Sequence, residues 1–230
     1  MKAAVYCGTQ NLYLDMTVAA KSLVDHSDVD VVYFLIEDDR FPYYIPDYVK
    51  CINVFDQTYF DHNCSNIYEN WTYMVLMRAA LTKIFPDLDR IFSLDVDTIV
   101  KNDIDELWDL DLDGYFLAGV EEPKKTKSKK PYINMGSVIF NLKKLRDDGM
   151  DDKIIEALNT KTYKFAEQDC INELCNKHIL TLPSLYNSNK FTEPCEDPKI
   201  IHFADDKKYR TRALYYQYQN MNWGDARKRL

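Results

Sequence analysis

Several classes of protein are excluded by what this chain does not have. Its longest apolar run, Val31 to Ile36, is a strand's length, far below the roughly 20 residues of a membrane-spanning helix. The opening Met1-Lys2-Ala3-Ala4-Val5-Tyr6-Cys7 is too short and too soon interrupted to read as a signal peptide. There is no excess of positive charge. A net charge of −8 argues against nucleic acid as the main partner. The six cysteines show no metal-ligand spacing: Cys170 and Cys175 are five apart, and no histidine joins them at ligand distance. They are expected to be reduced, packed thiols of a cytoplasmic protein. Asn63-Cys64-Ser65 and Asn70-Trp71-Thr72 match the glycosylation pattern, but without a secretory signal they read as chance matches. No internal repeat or long linker interrupts the chain, so residues 1–230 are expected to form one domain.

What is present points to a globular α/β fold. The chain is 46% apolar, with seventeen tyrosines and eleven phenylalanines, enough for a sizeable core. Residues 3–7 and 30–36 read as buried strands. Between them Leu12, Met16, Ala19, Ala20 and Leu23 recur at helical spacing over 12–25, which makes a right-handed crossover unit. A prolyl loop over 41–48 and a third strand over 51–55 follow. Helical spacing then predicts a helix over 71–84, stopped by Pro86. Further strands are expected over 91–94, 115–120, 138–142, 179–182 and 199–203. Helices are expected over 104–108, over 143–158 with a break near Gly149, and from Glu167 onward.

One stretch organises the rest. Ile91-Phe92-Ser93-Leu94 ends in Asp95-Val96-Asp97. Ligands of open α/β sheets collect at the carboxyl ends of strands, so the two aspartates are expected at the rim of a crevice. Hard oxygen donors there suit Mg²⁺ or Mn²⁺, and such an ion suits a diphosphate. An acidic pair after a strand is also a common solvated turn. Arg78, inside the expected helix, is either solvated or a phosphate or sugar contact. Lys124-Lys125-Thr126-Lys127-Ser128-Lys129-Lys130 is either a solvated loop or a basic lid over an anionic substrate. Tyr132-Ile133-Asn134-Met135-Gly136-Ser137 precedes a strand, and its glycine allows a bend or a close backbone approach.

The order of these pieces is more specific than any one of them. Helical Arg78, Asp95-Val96-Asp97, the segment from Tyr132 through Asn134-Met135-Gly136 to Asn141-Leu142, Glu167-Gln168-Asp169-Cys170-Ile171-Asn172, and Ile200-Ile201-His202-Phe203 with Lys208 occur in turn. This series resembles glycosyltransferase family 8, the retaining glucosyl- and galactosyltransferases that include bacterial lipopolysaccharide galactosyltransferases and glycogenin. The resemblance runs over residues 3–210. It implies a GT-A fold, a Rossmann-like, mixed and mostly parallel sheet flanked by helices. About 1–100 would bind the nucleotide, 101–210 the sugar and acceptor, and 211–230 would be a C-terminal tail.

The resemblance also implies a site. Asp95, Asp97 and His202 would hold Mn²⁺, with Mg²⁺ as the alternative. Thr9, Asn11 and Tyr13 would lie at the base of a UDP-glucose or UDP-galactose donor, and Lys208 at its diphosphate. Arg78 would reach the donor sugar and phosphate. Asn134, Met135 and Gly136 would line the sugar pocket, and Glu167, Gln168 and Asp169 would surround the anomeric carbon. Gln168 is a poor nucleophile, because an amide oxygen lacks the charge that covalent glycoside chemistry uses. Attack from the leaving-group face, with Gln168 shielding the cationic carbon, is therefore the expected route.

The family pattern is departed from at four places. Thr9 and Gln10 stand where an acid meets the uracil, and Glu167 replaces an aspartate. Asp205 occupies a glycine position, and Lys208-Tyr209-Arg210 replaces Lys-Pro-Trp. The tail, with Tyr215, Tyr216, Tyr218, Trp223 and Arg227-Lys228-Arg229, reads as a capping helix, with peripheral membrane contact as the alternative. The acceptor is open: a glycan, a protein side chain, a nucleic acid base or a small molecule. Two other functions compete. Leu94-Asp95-Val96-Asp97-Thr98 also fits the first motif of haloacid dehalogenase-like phosphatases, with Gly224-Asp225 as their last. A degenerate relative that binds a sugar nucleotide without transfer is the other.

Overall fold

The computed structural model describes residues 1–61, 63–67, 72–126 and 130–227. β1 (Ala3–Cys7) leads through a 3-10 turn into α1 (Tyr13–His26), then β2 (Val31–Ile36) and β3 (Val49–Asn53). Two short helices, α2 (Tyr73–Leu76) and α3 (Leu81–Ile84), precede β4 (Arg90–Leu94) and β5 (Thr98–Val100). β6 (Leu117–Glu121) and β7 (Ile133–Asn141) follow, then α4 (Leu142–Asp147), α5 (Met150–Thr160), α6 (Ala166–Cys175) and β8 (Ile179–Leu182). β9 (Ile200–His202), α7 (Ala213–Asn220) and α8 (Trp223–Ala226) close the order.

Seven strands form one sheet in the order β3-β2-β1-β4-β7-β6-β8. Its β3-β2-β1-β4 half is parallel. β7 runs antiparallel to both β4 and β6, and β8 returns parallel to β6. The period of two along a strand divides each one between two cores. Ala3 and Val5 of β1 pack with α2 to α6 on one face, while Ala4 and Tyr6 pack with α1 on the other. Each fully buried Leu, Ile or Phe in these layers contributes about 1.5–3 kcal/mol. The mixed, mostly parallel α/β expectation is met.

Topology gathers one edge. The chain turns outward from β1 in two directions, toward β2 and toward β4, which makes a crevice at their carboxyl ends. Antiparallel β7 starts at that same edge, where Ser137 pairs with Leu94. β6 and β8 end there as well. A separate two-stranded ribbon, β5 with β9, sets Thr98 opposite His202.

Several expected boundaries change. The helix over 71–84 is broken: a 3-10 turn, Met77–Ala80, separates α2 from α3 and carries Arg78. Trp71 lies outside the described residues. Gly136 sits inside β7, not ahead of it, because the strand starts at Ile133. β6 is shifted to end at Glu121. The break at Gly149 is real, with φ of 61° in the left-handed region that glycine enters without strain. All six cysteines are free, and each is buried or half-buried.

The tail behaves as a cap. Tyr215 and Tyr218 of α7 are buried against Val18 of α1, and Trp223 packs into the main core. Of the four tail aromatics only Tyr216 is exposed. Lys228 and Arg229 lie outside the described residues, as do Lys127 and Lys129 of the lysine block. No helix among the described residues is long and apolar enough to cross a membrane.

Candidate active site

Asp95 leaves β4 into a tight turn. Its N–H donates to the Gly136 carbonyl at 2.9 Å, and its own carbonyl accepts from the Thr98 hydroxyl at 2.7 Å. This fixes the backbone and turns both aspartates toward the crevice. The ribbon register then delivers His202 from far along the chain, with the Phe203 N–H bonded to the Asp97 carbonyl at 3.0 Å. His202 Nε2 lies 3.3 Å from Asp97 Oδ1 and 3.5 Å from Asp95 Oδ2. One donor atom from each of the three residues lies within 4.8 Å of the others.

The set fits a divalent ion. Neighbouring donors around an octahedral ion with bonds of about 2.1 Å are about 3 Å apart, so a small contraction would close the shell. Burial works against charge on His202, but Asp97 and Asp95 outweigh it and raise its proton affinity. A corner this negative favours a cation. Gly136 is part of the construction: a Cβ there would stand 2.1 Å from His202 Cε1. The imidazole occupies the space that any other residue's side chain would need.

Arg78 is neither solvated nor open. Its guanidinium pairs with Asp95 and, at 3.2 Å, with Glu167 Oε1. Burial opposes its charge, and the two carboxylates more than offset that. Glu167 is 2% exposed, and burial pushes its carboxyl up to about 7 even with Arg78 beside it. Its second oxygen has no hydrogen-bond partner among the described residues. Ala166, just before it, holds a positive φ of 41°.

Around the expected sugar pocket the side chains hold one another. Gln168 accepts from the Met135 N–H at 3.0 Å and donates to Glu122 at 3.3 Å and to the Tyr132 hydroxyl at 3.1 Å. Asp169 accepts from the Tyr132 hydroxyl and from the Phe165 N–H. Asn134 is buried, donates to Glu122 Oε1 at 2.7 Å and accepts from the Gly136 N–H at 3.0 Å. Met135 is a correction. On a strand it faces away from Asn134 and Gly136, and its side chain is buried in the core, leaving only its N–H toward Gln168. Lys125 of the lysine block is tied down, with Glu122 Oε2 at 2.9 Å and the Phe165 ring 3.8 Å away.

The base-side residues share the edge but bond among themselves. The Thr9 hydroxyl donates to Asn11 Oδ1. Gln10 is held by Glu37 and Asp38, which extend from the end of β2. Tyr13 is 2% exposed, and its hydroxyl joins Asp38 Oδ2 at 2.9 Å to the Glu37 N–H at 3.0 Å. A cleft of about 580 Å³ opens here between Gln10, Tyr13 and residues 38–42. Two carboxylates, those of Glu37 and Asp38, thus stand beside Gln10 at this cleft.

Lys208 is exposed at the start of a one-turn 3-10 helix and makes no ion pair with Asp95, Asp97 or any other described residue. Asp205 takes φ of 58°, the left-handed geometry of the glycine it replaces, and points to Lys190. Arg210 reaches the buried Asp15, donating from Nε at 2.9 Å, where Tyr215 also donates at 2.9 Å. Sequence reasoning missed Glu122, Tyr132, Asn187 and Asp15. Glu122 was within reach of it, as an acid at a strand's carboxyl end beside Asn134. Asn187 carried no local signal. The phosphatase reading fails, because its nucleophile belongs on a first strand and Asp95 follows the fourth. Asp225, its proposed last acid, bonds to Asn222 within α8.

The profile described as Glycosyl transferase family 8 matches residues 4–209. Glycosyltransferase GlyF of Streptococcus pneumoniae is 22% identical over 98% of this chain and 63% of its own length. The lipopolysaccharide 1,2-glucosyltransferase of Escherichia coli K12 is 32% identical over 54% of this chain and 40% of its own. The chain thus spans less than two thirds of these curated relatives. The crystal structure of glycosyltransferase GlyE of S. pneumoniae TIGR4 superposes with a TM-score of 0.73 at 22% identity, covering 99% of this chain and 62% of that one. Galactosyltransferase LgtC, solved with donor and acceptor sugar analogs, gives 0.68 at 17% identity over 94% and 95%.

Proposed function

The chain belongs to glycosyl transferase family 8 and has the GT-A fold of its structural neighbours, and from that premise we propose that it is a retaining, metal-dependent hexosyltransferase. Its donor is a UDP-sugar carrying glucose or galactose, and residues 1–230 work as one domain with a nucleotide half, a sugar and acceptor half and a C-terminal tail. The observation that carries this reading is the convergence of Asp95, Asp97 and His202 at the sheet edge that also holds Asn134 and Gln168. Mn²⁺ suits a set of two carboxylates and one imidazole better than Mg²⁺, which favours all-oxygen shells.

When bound, the ion would draw negative charge off the departing diphosphate. The residues do the rest. Arg78 is placed to exchange its pairing with Asp95 for a donor phosphate or sugar oxygen. Lys208, on an exposed turn after His202, swings to the diphosphate. Glu122 and Asn134 orient the hexose. Gln168 presents its amide behind the anomeric carbon and stabilises positive charge there without forming a bond. The acceptor hydroxyl attacks the face from which the diphosphate leaves, and its proton passes to a departing phosphate oxygen. Trapping a glycosyl adduct on Gln168, Glu167 or Asp169 would contradict this route.

A second reading is a binder without transfer. It is favoured by Arg78 pairing with Asp95 and by the engagement of the Gln168 carbonyl with Met135. Hydrolysis separates the two. With Mn²⁺, the transferase slowly releases free hexose from UDP-glucose or UDP-galactose, whereas a binder releases none above background.

A further inference from the structure

A hydrogen-bonded line of side chains runs from the sugar pocket to the metal corner, and its direction can be worked out from one fixed end. The backbone N–H of Gly136 can only donate, and it donates to Asn134 Oδ1 at 3.0 Å. Asn134 therefore turns its Nδ2 to Glu122 Oε1, an acceptor, at 2.7 Å. Asn187 meets Asn134 Oδ1 at 2.9 Å, so it must present Nδ2 there. Its Oδ1 is then left facing His202 Nδ1, also at 2.9 Å. An oxygen acceptor at Nδ1 requires the imidazole proton on Nδ1. The Nε2 lone pair is then aimed at Asp95 and Asp97, where an ion would sit. Asn189 Nδ2 lies 3.5 Å from the same Nδ1, but it donates to the Asn187 carbonyl and Oδ1 at 3.1 Å each.

We infer that Asn187 is a positioning residue: it fixes the Nδ1–H tautomer and ring orientation of His202 as a metal ligand, and it ties that ligand mechanically to Asn134 in the sugar pocket. The inference rests on the metal-dependent reading above. Asn187 is wholly buried and its side chain is bonded to Asn134 and His202, so its role is to hold. Partners behind a metal-binding imidazole set its tautomer and basicity, and losing one costs roughly 10–100-fold in metal affinity. In this line Asn134 is the joint between the two corners.

The test is Mn²⁺ affinity, read from the electron paramagnetic resonance signal of free Mn²⁺, for the unaltered protein, Asn187→Leu and Asn187→Asp, with no donor present. Asn187→Leu is expected to bind Mn²⁺ roughly 10–100-fold more weakly. Asn187→Asp, which keeps an acceptor for Nδ1–H, should recover part of that loss. A folded Asn187→Leu with unchanged affinity overturns the inference. A second measurement does not depend on any variant folding. The ¹⁵N–¹H ring pattern of neutral His202, one of four histidines, should show the proton on Nδ1 in the unaltered protein; a proton on Nε2 overturns the assignment. If the unaltered protein binds no Mn²⁺ but shows Nδ1–H, the metal-dependent reading fails and the tautomer assignment stands.

Discussion

At the metal corner the carboxylates of Asp95 and Asp97 keep 31% and 24% of their side chains exposed, against a His202 that is nearly buried. A short way along the same edge, Glu122 and Asn134 are buried, and Gln168, Asp169 and Tyr132 complete a web of bonds with them. The first corner is incomplete in charge. Its two acids face one imidazole and one borrowed guanidinium, a set that would suit a divalent cation. The second corner is complete in itself, with its dipoles aimed before any sugar arrives. That division suits transfer from a diphosphate donor. On the proposed function, charge developing on the leaving group would meet an ion held by Asp95, Asp97 and His202, and the cationic carbon would meet groups already held in place.

Breaking the corners one at a time should give separable defects. The largest is expected for Asp97→Asn. Donor hydrolysis with Mn²⁺ should fall at least about a thousandfold, roughly 4 kcal/mol of barrier, and Mn²⁺ binding should weaken with it. Gln168→Ala should lower hydrolysis about a hundredfold while leaving Mn²⁺ affinity within a few-fold; parallel losses in both would mean the corners are not distinct. Gly136→Ala sharpens the boundary, because its new methyl must displace the His202 ring. It should cost about 1–3 kcal/mol in stability and weaken Mn²⁺ binding, seen together in melting curves taken with chelator and with Mn²⁺.

The smallest effect concerns Glu167. Its carboxyl is raised from 4.5 to about 7 by burial, so the fold prefers the neutral form. The stability this group contributes is whole below about 4.5 and is lost as pH rises through about 7. Glu167→Gln mimics the neutral form at every pH. In chelator its Tm should exceed that of the unaltered protein by roughly 2–6 °C at pH 8, and the gap should shrink toward pH 5. A gap independent of pH would show that Glu167 is ionised throughout.

Much of this arrangement was legible in the sequence because it is local or periodic. The apolar runs located the strands, and Asp95-Val96-Asp97 fell at the end of β4 as expected. The ordered motifs name His202, which no local pattern places beside Asp95 and Asp97; the β5–β9 register brings it there. The errors have physical causes. The helix over 71–84 breaks where the buried Arg78 reaches across to Asp95 and Glu167. Met135, which the resemblance implies for the pocket, lies on β7, and with that strand starting at Ile133 the alternation turns its side chain into the core. Asn187 and Asp15 stayed invisible because their partners, His202 and Arg210, lie on other elements. The exception is the Asp205 position, where a left-handed backbone survives without its glycine.

The most direct test of the central claim is a thermal-shift panel of UDP, GDP, CDP, UDP-glucose and UDP-galactose, each with Mn²⁺ and with chelator. A ligand at a hundred times its dissociation constant adds roughly 2.7 kcal/mol of stability, several degrees in Tm for a chain of this size. A rise with uridine diphosphates alone, present with Mn²⁺ and abolished by chelator, is the result predicted by a metal-dependent donor site at Asp95, Asp97 and His202. A flat panel, or a rise equal in Mn²⁺ and in chelator, would contradict it.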